Sequence, residues 1–433
     1  LGHQGGSFEM KKIIVRGPLL SASGYGEQSR FALRSLREHE ERFDIYMATT
    51  EWGQTGWVHD DTEERRWIDK VLAKTIAYIQ QGGQFDISLQ ITIPNEWERM
   101  APINIGYTAG IETTKTAPVW LEKANMMDKI VVVSNHAKNV FESTTYKGTN
   151  RNTGEEITLA CQTPIEVVNY PVRSSKNLEL DLDLEYDFNY LAVAQWGPRK
   201  NLENTVKWFI EENFDRKVGL VVKTFVRKSN VMDREYTYKN LQNLINAHPE
   251  MECKVYLVHG DLSDDEMHSL YRNPKIKAFV SLTHGEGYGL PLFEAAYTGI
   301  PVVAPGWSGQ CDFLYAPFES KSKKNKKEKM RPYFAEVEYT IEPVPQSAIW
   351  EGVIQADSMW CYPQEGSYKM RLRQVYKNYD KWKSKADYLQ KWILDNFTNE
   401  IQYGKFANAV YQEEKFEIED WLNELEKEAV EFD

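Results

Sequence analysis

Residues 283–310 read THGEGYGLPLFEAAYTGIPVVAPGWSGQ. They continue an apolar run, IKAFVSL, so a strand is expected to end at Leu282 and to deliver a glycine-broken turn. From Leu290 the pattern predicts a helix, with Pro291 at an early position where the missing N–H would have no partner anyway. Glu286 lies in the turn and Glu294 eight positions later, in the first turns of the helix. In open parallel sheets, a strand, a glycine turn and a helix start form the place where backbone N–H groups hold phosphate. Here those groups belong to Gly287, Tyr288, Gly289 and Leu290. Carboxylates repel phosphate, so Glu286 and Glu294 are read as acceptors for hydroxyls. Hydroxyls beside phosphates describe a sugar nucleotide.

Outward from this stretch, the same alternation fills the chain. KKIIVRG (11–17) reads as a strand ending in glycine, and SGYGEQSRFALRSLREH opens a helix whose apolar members are Phe31, Leu33 and Leu36. FDIYMAT, FDISLQI, INIGYTA and DKIVVVS follow as strands, with RRWIDKVLAKTIAYIQQ as a helix among them. CQTPIEVVNYPV (161–172) closes this first half. A polar, acidic linker spans 173–187. A second series runs through FNYLAVAQW, KVGLVVKTF, CKVYLVHG, IKAFVSL and IPVVAP. Strands alternating with helices indicate parallel sheets covered on both faces, hence two successive doubly wound α/β domains, 10–172 and 188–395. The remainder, 396–433, is expected to be helical and to cross back to the first domain.

Length agrees: 433 residues exceed one ordinary core and suit two domains with a cleft between them. With 42% hydrophobic and 27% charged residues the composition is globular, and no run approaches the roughly 18 apolar residues that span a bilayer. Cys161, Cys253, Cys311 and Cys361 form no CxxC pair, which fits a reducing cytoplasm better than a disulfide framework. Residues 1–9 have no signal-peptide pattern, and the fold is read from Met10. The net charge of −12 opposes broad binding to nucleic acid. One segment departs from that average: KSKKNKKEKMR (321–331) has seven Lys or Arg and one Glu. Such a run is either a solvated loop or a grip for a polyanion.

His284, Glu286, Gly287, Gly289, Pro291, Glu294 and the later Gly299-Ile-Pro-Val resemble the EGxGLPxxEA…GxPV signature of glycosyltransferase family 4. The resemblance implies the GT-B fold, two facing Rossmann-like domains, and a sugar transfer from a nucleoside diphosphate sugar with retention at the anomeric carbon. It implies further that Glu294 binds the donor ribose and that Glu286 lies by the transferred sugar. AQWGPRKN (194–201) is similar to the family's phosphate-binding segment. Lys200 matches its lysine, while Gln195 stands at the arginine position and Arg199 is a second cation beside it, so either Arg199 or Lys200 is expected on the diphosphate.

Lys223, near the end of an apolar strand, is another candidate, because a lysine buried there without an anion is costly. Its alternative is to snorkel to solvent. Gly24 and Gly26 match the family's glycine loop beside the cleft, and His259 and Gly260 complete the expected donor contacts. GYTAGIETTKTAPVW resembles a cleft segment of the family, with Glu112 as its acidic member. Together with Glu286, Lys200 and Lys223 it makes up the catalytic set. His136, just after Ser134, is read as belonging to a capped helix start.

No metal is expected: Asp181 and Asp183 sit in the linker, and cations with backbone amides would neutralise the leaving diphosphate. No cofactor beyond the co-substrate, a UDP-sugar first among the donors, is expected. An oxidoreductase reading fails because GYGEQS lacks the third glycine of GxGxxG. A sugar-nucleotide binding protein without catalysis stays open. For the acceptor, the segments beyond residue 310 resemble glycosyltransferases of large tailed phages. Duplex DNA carrying hydroxymethylated bases is therefore the expected partner, with Lys323, Lys324, Lys326 and Lys327 on its phosphates. A surface glycan or small molecule is the alternative acceptor, and no membrane contact is expected.

Overall fold

The strands expected from apolar runs form two six-stranded sheets in the computed structural model, which describes residues 10–53, 56–149, 152–318 and 329–412. In the first sheet the order is Phe43–Thr49, Lys11–Gly17, Ile87–Ile91, Ile103–Thr108, Lys129–Val132 and Ile165–Val167, every neighbour parallel. The second sheet runs Lys254–Val258, Gly219–Lys223, Asn189–Val193, Ile276–Val280, Val302–Pro305 and Ala335–Val337, also parallel throughout. Ile87–Ile91 and Gly219–Lys223 are buried along their whole length, as parallel strands covered on both faces must be.

Strand order decides where a ligand can sit. In the second sheet the winding reverses between Asn189–Val193 and Ile276–Val280, neighbours whose connections leave in opposite directions and open a crevice at their carboxyl ends. The segments leaving those two strands are AQWGPRKN and the 283–289 turn. The first sheet reverses between Lys11–Gly17 and Ile87–Ile91, at the strand end that leads into the 18–26 loop.

Several features depart from the sequence reading. The strand before the turn stops at Val280, two residues early. The sixth strand of the second sheet, Ala335–Val337, lies beyond the lysine run, where only three residues pair. An antiparallel pair, Tyr339–Pro343 with Met359–Pro363, carries a loop to the first half, where the Asn95 side-chain amide donates to the Gly352 carbonyl at 3.0 Å and Lys115 pairs with Asp357.

The linker is stitched to the helix Asp264–Tyr271: the Lys176 N–H donates to Asp265 at 2.8 Å and the Leu178 N–H to Ser269 at 2.7 Å. Asp181 and Asp183 are exposed. The helix Asn399–Val410 lies on Gly24–Arg37 of the first half, with Phe406 against Phe31 at 5.3 Å and Arg42 donating to Asn408. One buried apolar cluster thus runs through both halves, from Ile13 and Phe31 to Phe293 and Phe313. Among the described residues no helix is long and apolar enough to cross a membrane.

Candidate functional site

The 283–289 turn lies directly under the backbone of the first half. A Cβ at Gly285 would stand 2.0 Å from the Glu112 carbonyl oxygen, and one at Gly287 would stand 2.2 Å from that of Ala109. Both glycines are therefore needed for the close approach of residues 109–112. Gly289 has φ +94°, a left-handed conformation that L side chains rarely adopt, and caps the helix Leu290–Thr298 without any side-chain hydrogen bond. The first N–H groups of that helix precede any intrahelical acceptor and point out of its start. The turn is braced from behind: the Glu286 N–H donates to Ser308 Oγ at 2.9 Å, and the Gly309 N–H donates to the Glu286 carbonyl at 3.0 Å.

Glu286 gathers both candidate cations. Lys200 Nζ lies 2.6 Å from Oε1, and Arg199 Nη1 lies 3.1 Å from Oε2 and 2.7 Å from the Gly285 carbonyl. Arg199 Nη2 then reaches across to Glu112 of the first half at 3.5 Å. Two carboxylates and two cations form one neutral cluster spanning the halves. Burial alone would raise the Glu286 carboxyl, but Lys200 and Arg199 outweigh it and hold the group at about 2. The Lys200 ammonium is pulled below its ordinary value, first by burial and then by repulsion from Arg199. Although it is paired, desolvation prevails, so this lysine is a cation that an additional anion would favour.

Glu294 sits in a different environment. Burial pushes its carboxyl up to about 7, against opposing pulls from Tyr271 and Arg173. Arg173, at the head of the linker, pairs with Asp264 of the second half at 2.5 Å and with Glu27 of the first at 3.4 Å. The two glutamates thus divide: Glu286 is ionised and held by cations, whereas Glu294 stands near the balance between its two forms at neutral pH.

The other expected residues scatter. Tyr288 turns its ring inward, 3% exposed, against Tyr170, Phe293 and Phe313, so only its backbone faces the turn. Lys223 is buried, and its ammonium donates to the Gly260 carbonyl at 2.8 Å. His259 meets Asp233 at 2.8 Å, and Asp233 also accepts the N–H groups of Val226 and Arg227. The His259 side chain is thus a loop staple, while Gly260, at φ +107°, has open space where a Cβ would be.

Gly26 packs on the Ser21 carbonyl, and Gly24 faces open space. His284 stacks on Trp360 at 4.8 Å, and its Nδ1 meets the Cys361 carbonyl at 2.6 Å. Lys323, Lys324, Lys326 and Lys327 lie outside the described residues.

Sequence reasoning missed most of the contacts between halves. Ser134 does cap its helix, accepting from the Ala137 N–H at 3.2 Å, but His136 itself packs 4.9 Å from Trp307 of the second half, with burial lowering it to about 4. Asp312 accepts from Asn135 and Asn169 across the same seam, at 3.0 and 2.9 Å. Neither pairing has a local signal, because each partner reads as an ordinary polar residue near a helix start.

The fold and the crevice define a two-domain α/β protein of the GT-B arrangement. No family model matches the chain, and no curated protein matches it. Solved structures do. HepE of Anabaena, in complex with UDP and glucose, is 10% identical with a TM-score of 0.54 over 92% of this chain and 98% of that one. Sucrose-phosphate synthase from Thermosynechococcus elongatus is 11% identical with a TM-score of 0.55, covering 92% and 98%. The lipopolysaccharide outer core galactosyltransferase WaaB is 10% identical with a TM-score of 0.51, covering 92% and 99%. At such identities the likeness is one of fold.

Proposed function

We propose that this chain is a glycosyltransferase that moves a sugar from a nucleoside diphosphate sugar, UDP-sugars first, onto a hydroxyl acceptor with retention at the anomeric carbon. One observation carries the reading: an uncapped helix start at Gly289-Leu290 beside the Lys200–Glu286–Arg199 cluster, at the crevice where the second sheet reverses. In the reaction the anomeric C–O bond to the diphosphate breaks and a bond from that carbon to the acceptor oxygen forms. The acceptor proton leaves with the departing diphosphate. Charge grows on the diphosphate as its bond breaks, and fixed cations and N–H groups already aimed there stabilise it without reorganisation.

Arg199 and Lys200 supply the charge, and Glu286 holds both in place beside the transferred sugar. Glu112 orients Arg199 from the other half. Glu294 accepts from the ribose hydroxyls. Lys223 acts through the Gly260 loop. With cations built into the chain, activity is expected to survive EDTA.

Calorimetry with UDP and a donor hydrolysis assay test the reading together. Glu294→Ala should weaken UDP by about 1.5–3 kcal/mol, the scale of a hydrogen bond to a charged group. Wild-type protein that binds no nucleoside diphosphate overturns the proposal, while protein that binds UDP but never cleaves a UDP-sugar is a binding protein instead. For the acceptor, duplex DNA is supported by the lysine run and by the resemblance of the segments beyond residue 310 to tailed-phage enzymes, with a glycan or small molecule as the alternative. Changing Lys323, Lys324, Lys326 and Lys327 to Ser should then weaken DNA binding and flatten its salt dependence.

A further inference from the structure

A second pocket opens where the first sheet's loops meet the other half. Its volume is about 250 Å³, and Ser21, Thr50, Glu51, Trp52 and Trp57 line it, with Lys228 reaching in from the second half. It stands at the carboxyl ends of neighbouring strands, Lys11–Gly17 and Phe43–Thr49. Residues 56–58 are fastened to the 20–22 loop by backbone bonds, the Ala22 N–H to the Gly56 carbonyl and the Val58 N–H to the Leu20 carbonyl, both at 2.8 Å. The walls are thus built rather than adventitious.

Three features indicate what fits. Trp57 is 44% exposed, so part of its indole ring is open to a molecule in the pocket. Trp52 packs on the Tyr25 ring at 4.3 Å, which fixes its plane. The Thr50 hydroxyl is buried and has no hydrogen-bond partner among the described residues, and a buried polar group left in that state calls for a partner. A mostly polar lining of carboxylate, hydroxyls and ammonium with two indole rings beside it suits a small molecule with hydroxyl edges and one apolar face.

We propose that this pocket is a saccharide subsite, holding one sugar ring of the acceptor against Trp57 and Trp52, with its hydroxyls on Glu51 and Thr50. Its volume lies below the roughly 300–1,000 Å³ of drug-sized ligand sites, so one ring fits and a duplex does not. Glu51 would oppose the phosphates of a nucleic acid. Tyr25 connects the pocket to the reaction centre: one face meets Trp52, and its hydroxyl bonds Thr108 Oγ1 at 2.7 Å, next to the 109–112 segment that carries Glu112. A ring seated here would project a hydroxyl past Tyr25 toward the Glu286 cluster. The acceptor role rests on the glycosyl-transfer reading; the binding of a sugar does not.

The test uses the full chain with UDP present and a panel of methyl hexopyranosides, read by saturation-transfer NMR. At least one glycoside should show transfer to its ring protons, and the signal should fall at least fivefold in Trp57→Ala and in Glu51→Gln. In a transfer assay the same variants should raise the acceptor KM about tenfold while UDP affinity stays within twofold. Failure of the donor assay with sugar binding intact removes glycosyl transfer but leaves the subsite. Absence of any glycoside signal from the wild type, variants that bind like the wild type, or transfer to hydroxymethylated duplex DNA but to no glycoside would overturn the subsite.

Discussion

Two glycine turns open the crevice from opposite sides, and they solve the same local problem differently. In the first half the strand Lys11–Gly17 leads into the helix Gly24–Arg37, and Ser23 Oγ accepts the Gly26 N–H at 3.1 Å. Arg30 donates to the carbonyls of Leu19 and Ser21 at 3.1 and 2.9 Å, so this turn satisfies itself. In the second half the turn into Leu290–Thr298 ends at Gly289, which has no side chain to cap the helix. Glycine content is similar, yet a side chain takes an N–H of the first helix start and none takes one at the second. Capping, rather than the presence of glycine, separates a structural turn from an anion site.

The largest effect is expected from Glu286→Ala. Arg199 and Lys200, both half-buried, would lose the carboxylate they share and keep only Glu112 nearby. Transfer should fall about 10²- to 10³-fold, the scale for losing one element of a preorganised charge site. Because the folded Glu286 carboxyl is lowered to about 2, its stabilisation is fully present above the unfolded value of about 4.3 and is lost as pH falls toward 2. Urea unfolding between pH 5 and 2 should therefore be steeper for the wild type than for the variant. Equal acid slopes would mean that the cluster does not bear on folding.

Next comes the seam between the halves. Gly287→Ala drives a Cβ into the Ala109 carbonyl and should cost about 1–3 kcal/mol, as overpacking does. Gly24→Ala, with nothing within 4 Å of its Cβ, should leave the melting temperature unchanged. A Gly287→Ala protein as stable and active as the wild type would show that the halves do not close as described.

Glu294 sharpens the comparison through pH. Its folded carboxyl is raised to about 7, so the unfolded chain releases this proton first, and stability should decline as pH rises from about 4.3 to 7. Glu294→Gln should remove that slope. UDP affinity should rise several-fold from pH 6 to 8 in the wild type, as the carboxylate forms, and stay flat in the variant. The smallest effect belongs to the self-satisfied turn: Ser23→Ala should lose about 1 kcal/mol, the usual worth of a helix cap, with UDP affinity unaltered. A larger loss of UDP affinity there would make the first turn a ligand site as well.

Read along the chain, the residues already determine two doubly wound halves, the main strands of each sheet and the pairing of turn with helix at 283–298. These rest on periodicity and on glycine and proline chemistry, which act over a few residues. They also place Glu286, Lys200 and Glu112 among the candidates, while leaving Arg199 and Lys200 as alternatives. Tertiary structure decided that Glu286 takes both cations at once, because the ends of two adjacent strands bring distant segments to one point.

The tertiary fold also decided that Tyr288 is core, that His259 serves Asp233, and that Glu294 is buried enough to titrate near neutrality. Gly287 looks like a phosphate-loop glycine in the sequence; only the packed halves show the Ala109 carbonyl where its side chain would be, and the Glu112 carbonyl where one at Gly285 would be. Burial and contacts between halves depend on the whole chain's path, and no window of neighbouring residues contains that information.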